Sequence, residues 1–165
     1  MTEFLCCDTN IWIDLANVGA LVLPFKLDCK FLMYELTFCE ELLRPTWICE
    51  KLEELGIELV SIEISEYELA GDYGVKYKPL SSHDCVALAI AKLRRVPLLT
   101  GDGNLIKAAS KECVRVIGTI GLIDWVFGEK IISTADYVEY LKRLLSHPST
   151  RLPISELEAR ISKYS

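Results

Sequence analysis

Two apolar runs of buried-strand length in this chain each end in a carboxylate, a turn signal and the start of a helical segment. The first is Phe4-Leu5-Cys6-Cys7 followed by Asp8-Thr9-Asn10; the second is Val96-Pro97-Leu98-Leu99-Thr100 followed by Gly101-Asp102-Gly103-Asn104. In an open parallel sheet, ligands bind beyond the carboxyl ends of the strands, where the strand order reverses. Two aspartates delivered to that edge make a candidate cation site.

The rest of the chain alternates between strand and helix patterns. Phe4 to Cys7 is the first strand, and Asn10 to Leu15 a short helix capped by Asp8 or Thr9. A short helical stretch between Gly19 and Asp28 is broken near Pro24. Phe31-Leu32-Met33 is the second strand, and a helix from about Leu36 to Leu43 is stopped at Arg44-Pro45. Trp47 to Leu55 has helical spacing and closes at Gly56, Ile57 to Ser61 alternates as a third strand, and Ser65 to about Val75 is helical. Ser81 to Arg95 carries the plainest helix signals, with a capping box at Ser81 and Asp84 and a basic end at Lys92, Arg94 and Arg95. Val96 to Thr100, a helix from Asn104 to Lys111, a strand from Val114 to Ile117 and a helix opening at Gly118 and running through Phe127 complete the alternation. Ser133 to Leu145 and Ile154 to Ile161, the latter started by Ser155, form an all-helical tail. The architecture expected is a three-layer α/β/α domain over residues 1–128 with a parallel sheet of about five strands. A helical extension over 129–165 is expected to pack on that domain or on a partner.

Composition narrows the class. A chain of 165 residues, 51% hydrophobic and 25% charged, has material for one globular core. No run approaches the roughly 18 consecutive apolar residues of a membrane span, and the amino terminus lacks a basic start and a small-residue cleavage site, so a cytoplasmic protein is expected. Seven cysteines without C-x-x-C spacing and only two histidines, His83 and His147, disfavour structural zinc and fit reduced, buried thiols. A net charge of −6 argues against bulk electrostatic coating of nucleic acid, yet acids gathered for a cation lower the net charge of a nuclease too.

A helix that follows a strand begins at the carboxyl edge of the sheet. Asp8 and Asp102 end strands, Asp84 begins the helix leading into the fourth strand, and Glu41 lies in the helix after the second, so all four are expected to line one edge. Four carboxylates in one cleft repel and resist desolvation unless a divalent cation takes up their charge, and hard oxygen donors suit magnesium or manganese. Such an ion activates water for in-line attack on phosphate. Taken singly, Asp8 and Asp102 also read as helix caps, Asp84 as the capping-box partner, and Glu41 as a solvated position for which Glu40 competes.

The segments Asp8-Thr9-Asn10, Cys39-Glu40-Glu41-Leu42, His83-Asp84-Cys85-Val86-Ala87-Leu88-Ala89 and Leu99-Thr100-Gly101-Asp102-Gly103-Asn104-Leu105 resemble, in order and separation, the acidic motifs of the PIN-domain family. Val116 to Leu122 and the helical tail are similar to its prokaryotic VapC-like branch, found in toxin–antitoxin pairs. The resemblance implies a PIN-like nuclease domain, namely a magnesium- or manganese-dependent ribonuclease with Asp8, Glu41, Asp84 and Asp102 as the acidic cluster. It further implies supporting roles for Thr9, Asn10, Thr100 and Asn104, a small antitoxin as partner, and a homodimer. Lys107 and Lys111, one turn apart after Asp102, are the candidates for holding RNA. Lys92, Arg94 and Arg95 sit at the far end of their helix and fit its dipole as well. The alternative class is a catalytically silent PIN-like module that binds RNA or protein. A phosphatase using Asp8 as nucleophile would want an acid two residues on, where Asn10 stands. His83 reads as a loop or capping histidine before a general base, the tyrosines as packing before base stacking, and the apolar faces at Trp12, Trp47 and Trp125 as room for an interface.

Overall fold

The computed structural model describes residues 2–42 and 45–165. Strands β1 (Glu3–Cys7), β2 (Cys29–Tyr34), β3 (Glu58–Val60), β4 (Leu98–Leu99) and β5 (Val116–Ile117) form one sheet in the order β3-β2-β1-β4-β5, with every neighbouring pair parallel. The helices are α1 (Thr9–Asn17), α2 (Glu35–Glu41), α3 (Thr46–Leu55), α4 (Ile64–Lys76), α5 (Ser82–Arg94), α6 (Gly103–Lys111), α7 (Thr119–Gly128), α8 (Thr134–Ser146) and α9 (Ile154–Tyr164).

Alternation along each strand divides the core into two layers. Leu5 and Cys7 of β1, Phe31 and Met33 of β2 and Leu99 of β4 face one side, where α1, α2, α3, α7, α8 and α9 supply Trp12, Phe38, Leu52, Ile123, Leu141 and Leu157. Cys6 and Leu98 face the other, against Ala70 and Tyr73 of α4, Leu88 of α5 and Leu105 of α6. This is the expected three-layer arrangement, with helices on both faces of the sheet. The helical extension shares the first core: Tyr137, Leu141, Leu144 and Leu157 are buried in it. Asp124 of α7 fastens it, accepting the Tyr137 hydroxyl at 2.5 Å and the Arg160 guanidinium at 2.8–3.1 Å. Among the described residues no helix is long and apolar enough to cross a membrane.

Several boundaries differ from the sequence reading for local reasons. The fourth and fifth strands shorten to two residues each, but their ladders continue beyond them through Cys6 N–H to Pro97 O and Thr100 N–H to Ile117 O, at 2.9 and 3.1 Å. Pro24 lies in the first turn of a 3-10 helix (Leu23–Lys26) instead of breaking a helix, because its missing N–H is harmless there. A capping box at Glu63 and Glu66 starts α4, and α9 begins after Pro153 with Ser155 inside it. Gly56 ends α3 with φ +95°, as its position foretold. The expected helix end at Leu43 and the stop at Arg44 lie outside the described residues. Trp12 is not an interface residue: it is fully buried between Phe25 and Phe31 at ring distances of 5.3 and 5.2 Å, whereas Trp47 is half exposed. All seven cysteines are free, but only Cys6, Cys7 and Cys85 are buried; Cys29 and Cys49 are half-buried, and Cys39 and Cys113 are exposed.

Because the extension closes one core layer, Leu141→Ala is expected to cost about 2–5 kcal/mol of global stability, with a single denaturant transition. An extension that folded apart from the sheet would instead show two transitions and an unchanged major midpoint.

Candidate active site

The strand order reverses between β1 and β4, so the crevice of the fold opens at their carboxyl ends. Cys7 pairs with Leu99, and the Asp8 N–H donates to Leu99 O at 2.9 Å, so Asp8 and Thr100 leave the sheet side by side. Asp8 is extended and caps α1, its Oδ1 accepting the Thr9 N–H at 2.8 Å. The fully buried Thr100 hydroxyl donates to Asp8 Oδ2 at 2.9 Å and accepts the Asp102 N–H at 3.1 Å. Asp102 caps α6 through Oδ1 and Leu105 N–H at 2.9 Å, and Asn10 Oδ1 accepts the Gly101 N–H at 3.1 Å, clamping the turn between them. Capping and facing the crevice are therefore the same placement for both aspartates.

The Glu40/Glu41 ambiguity is divided by helix rotation of about 100° per residue. Glu41 Oε2 accepts the Thr9 hydroxyl at 2.8 Å, beside Asp8, while Glu40 Oε2 pairs with His83 Nε2 at 2.8 Å. His83 Nδ1 meets the Thr37 hydroxyl, also at 2.8 Å, so this histidine ties α5 to α2. Asp84 follows it in the capping box, Oδ2 accepting the Ser81 N–H at 2.9 Å.

These acids act on one another. Asp8 is pushed up to about 6, first by burial and then by the charges of Asp84 and Glu41, against the lowering effect of its bonds from Thr100 and Thr9. Among the described residues no three His, Cys, Asp or Glu side chains converge in a metal-holding geometry. Asp84 and Asp102 each hold one carboxylate oxygen on a backbone N–H and leave a second, and the donors are all oxygen. In chemistry this set fits a hard divalent cation, with Asp8, Glu41, Asp84 and Asp102 as the residues that would hold it.

The supporting residues divide. Thr100 and Asn10 brace the two strand ends, and Thr9 braces Glu41 as well as capping. Asn104 forms no hydrogen bond to Asp102 among the described contacts; it lines a cleft of about 330 Å³ together with Lys107 and Lys111. Lys76, the last residue of α4, and Lys78 in the loop after it line the same cleft, a placement that only the run Lys76-Tyr77-Lys78-Pro79 could have signalled. Lys92 and Arg94 lie elsewhere: Lys92 holds Glu112 O at 2.6 Å, and Arg94 pairs with the buried Glu66 at 2.6 and 3.0 Å. Tyr73 and Tyr77 are buried with their hydroxyls on Glu112, as packing residues; Tyr67 is exposed on α4.

No protein-family model matches the chain, and no curated protein matches it either.

An acid whose pKa rises on folding is destabilising when ionised. With the unfolded value near 3.8 and the folded value about 6, the cost is absent below about pH 4, grows between pH 4 and 6, and is full above it. The shift of about two units corresponds to about 3 kcal/mol. Asp8→Asn is therefore expected to raise stability at pH 7 by up to that amount, with the advantage vanishing toward pH 4. Magnesium should raise the wild-type melting temperature at pH 7 and leave that of Asp8→Asn unmoved. Thermal denaturation across pH, with and without the ion, reads both effects.

Proposed function

We propose that this chain is a PIN-like, divalent-metal-dependent endoribonuclease that hydrolyses RNA phosphodiesters. The observation that carries the reading is the buried Thr100 hydroxyl joining Asp8 to the Asp102 backbone at the strand-order reversal, with Glu41 brought to the same edge by Thr9. Asp8 and Asp102 leave neighbouring strands where the fold places ligands, and the charges of Asp84 and Glu41 add to the burial that raises the Asp8 pKa, a cost that a cation would relieve. A magnesium or manganese ion at that edge would supply an activated water and neutralise charge developing on the phosphate.

Asp8 and Asp102 would hold the ion from the two strand ends, and Asp84 and Glu41 from the flanking helices. Thr100 fixes the spacing of the first pair, while Thr9 and the His83–Glu40 contact fix α2 and hence Glu41. Attack of water on phosphorus would expel the 3′ oxygen, leaving a 3′ hydroxyl and a 5′ phosphate. The resemblance of the acidic motifs to the VapC-like branch extends the proposal to the toxin of a type II toxin–antitoxin pair, a homodimeric cytoplasmic protein held in check by a small antitoxin.

Labelled RNA incubated with the purified protein and magnesium is expected to be cut, and chelator to stop the cutting. Asp102→Asn and Asp8→Asn are each expected to lower the rate by at least a hundredfold while circular dichroism stays unchanged. Undiminished cleavage by both variants would remove these residues from the reaction, and no cleavage by the wild type would favour the silent binding module.

A further inference from the structure

The acids lie at the carboxyl edge of the sheet; an unassigned cavity of about 730 Å³ opens at the opposite edge. Glu3 on its rim and Asp8 stand at the two ends of β1, five residues and so about 16 Å apart. Its walls are the two turns that carry the chain from α5 into β4 and from α6 into β5. Both turns are built alike. Arg95 and Cys113 each adopt φ +57°, and the residue after each donates its N–H five residues back, Val96 to Ala91 O at 3.1 Å and Val114 to Ala109 O at 2.9 Å. Lys130 closes α7 in the same way, so the left-handed turn shapes the wall and does not by itself mark a site.

What marks this cavity is its charge. Lys92, Arg95 and Arg115 line it, with Glu3 as the only carboxylate in the lining. Glu3 pairs with Arg115 at 3.2 Å, which leaves an excess of two positive charges in a chain of net charge −6. Lys92 serves the end of α6 by donating to Glu112 O at 2.6 Å, and Arg94 is taken by Glu66. Arg95 lies past the end of α5, and among the described residues its guanidinium has neither a carboxylate nor another hydrogen-bond acceptor. Beside these cations the wall is apolar, formed by Val96, Pro97 and Leu93, the last 45% exposed.

We propose that this cavity binds a small phosphomonoester, with Arg95 and Lys92 holding the phosphate and Val96, Pro97 and Leu93 covering the uncharged body. A phosphomonoester carries a charge of about −1.5 to −2 at neutral pH, which matches the excess of positive charge, whereas a single carboxylate supplies half of it. A planar guanidinium takes two phosphate oxygens at once. The cavity falls within the range of small-molecule sites, about 300–1,000 Å³. The inference is independent of the ribonuclease reading, because none of its residues belongs to the acidic edge.

The test uses Cys113, exposed on the cavity wall, as reporter and Cys39, exposed on α2, as internal control. Alkylation rates of the two thiols are read by peptide mass spectrometry on the whole protein in chelator, which keeps divalent ions off the acidic edge. AMP is the probe, adenosine supplies the same body without phosphate, and citrate is a polyanion without phosphorus. Saturating AMP is expected to slow Cys113 at least fivefold and to leave Cys39 unchanged, with no effect of adenosine. Arg95→Gln should remove the protection. Arg95→Gly should remove it too while the melting temperature holds or rises, since glycine is the residue best suited to φ +57°. Lys142→Gln on α8 should behave as the wild type. The assignment is overturned if AMP leaves Cys113 unprotected or slows Cys39 equally, if Arg95→Gln keeps full protection, or if adenosine or citrate protects as well as AMP. Magnesium-dependent RNA cleavage is a separate measurement, so either proposal can fail while the other stands.

Discussion

The Thr100 hydroxyl is a single buried group on which the geometry of the acidic edge turns. It donates to Asp8 and accepts from the Asp102 backbone, so it links the carboxyl end of β1 to the turn after β4. A hydroxyl can do both at once because it carries one proton and two lone pairs. Burial makes the arrangement obligatory, since an unpaired donor or carboxylate oxygen there would cost on the order of 1–3 kcal/mol. The parallel pairing of Cys7 with Leu99 supplies the registry, and the strand order reverses at this pair.

Charge at this edge is balanced in part by the backbone. Helices α1, α5 and α6 all present their amino-terminal ends there, and Asp8, Asp84 and Asp102 each satisfy N–H groups at those ends. At Asp8 the bonds from the Thr100 hydroxyl and the Thr9 N–H lower the pKa, but burial outweighs them, with smaller additions from the charges of Asp84 and Glu41. Lys107 and Lys111 lie farther along α6, away from Asp102 at its amino-terminal end, and neither pairs with a carboxylate among the described residues.

The layer beneath the site is held by different forces. Trp12 of α1 packs between Phe25 and Phe31, and α8 and α9 close the same core through Leu141 and Leu157. The helix that carries Asn10 and follows Asp8 is therefore anchored by apolar contacts from distant parts of the chain. His83 adds a polar tie between α5 and α2, through Thr37 and Glu40. Its role is to position the helix that brings Glu41 to the edge.

Local signals carried most of the element list. Apolar runs ending in Asp8 and Asp102, the Ser81–Asp84 box and Gly56 each act over a few residues, and the βα alternation dictates a parallel sheet with covered faces. Less legible were features that depend on residues far apart in sequence. The choice between Glu40 and Glu41 needed the positions of Thr9 and His83, and the shortening of β4 and β5 depended on where their neighbours end. Lys76 and Lys78 joined Lys107 and Lys111 only because α4 and α6 flank one helix, α5, against the same face of the sheet. By itself the sequence determined which acids end strands and open helices, because turn and cap preferences are set by adjacent atoms. Only the tertiary structure decided which of those acids share a hydroxyl and which lysines share a cleft, because those distances are fixed by packing between elements that the chain order leaves unspecified.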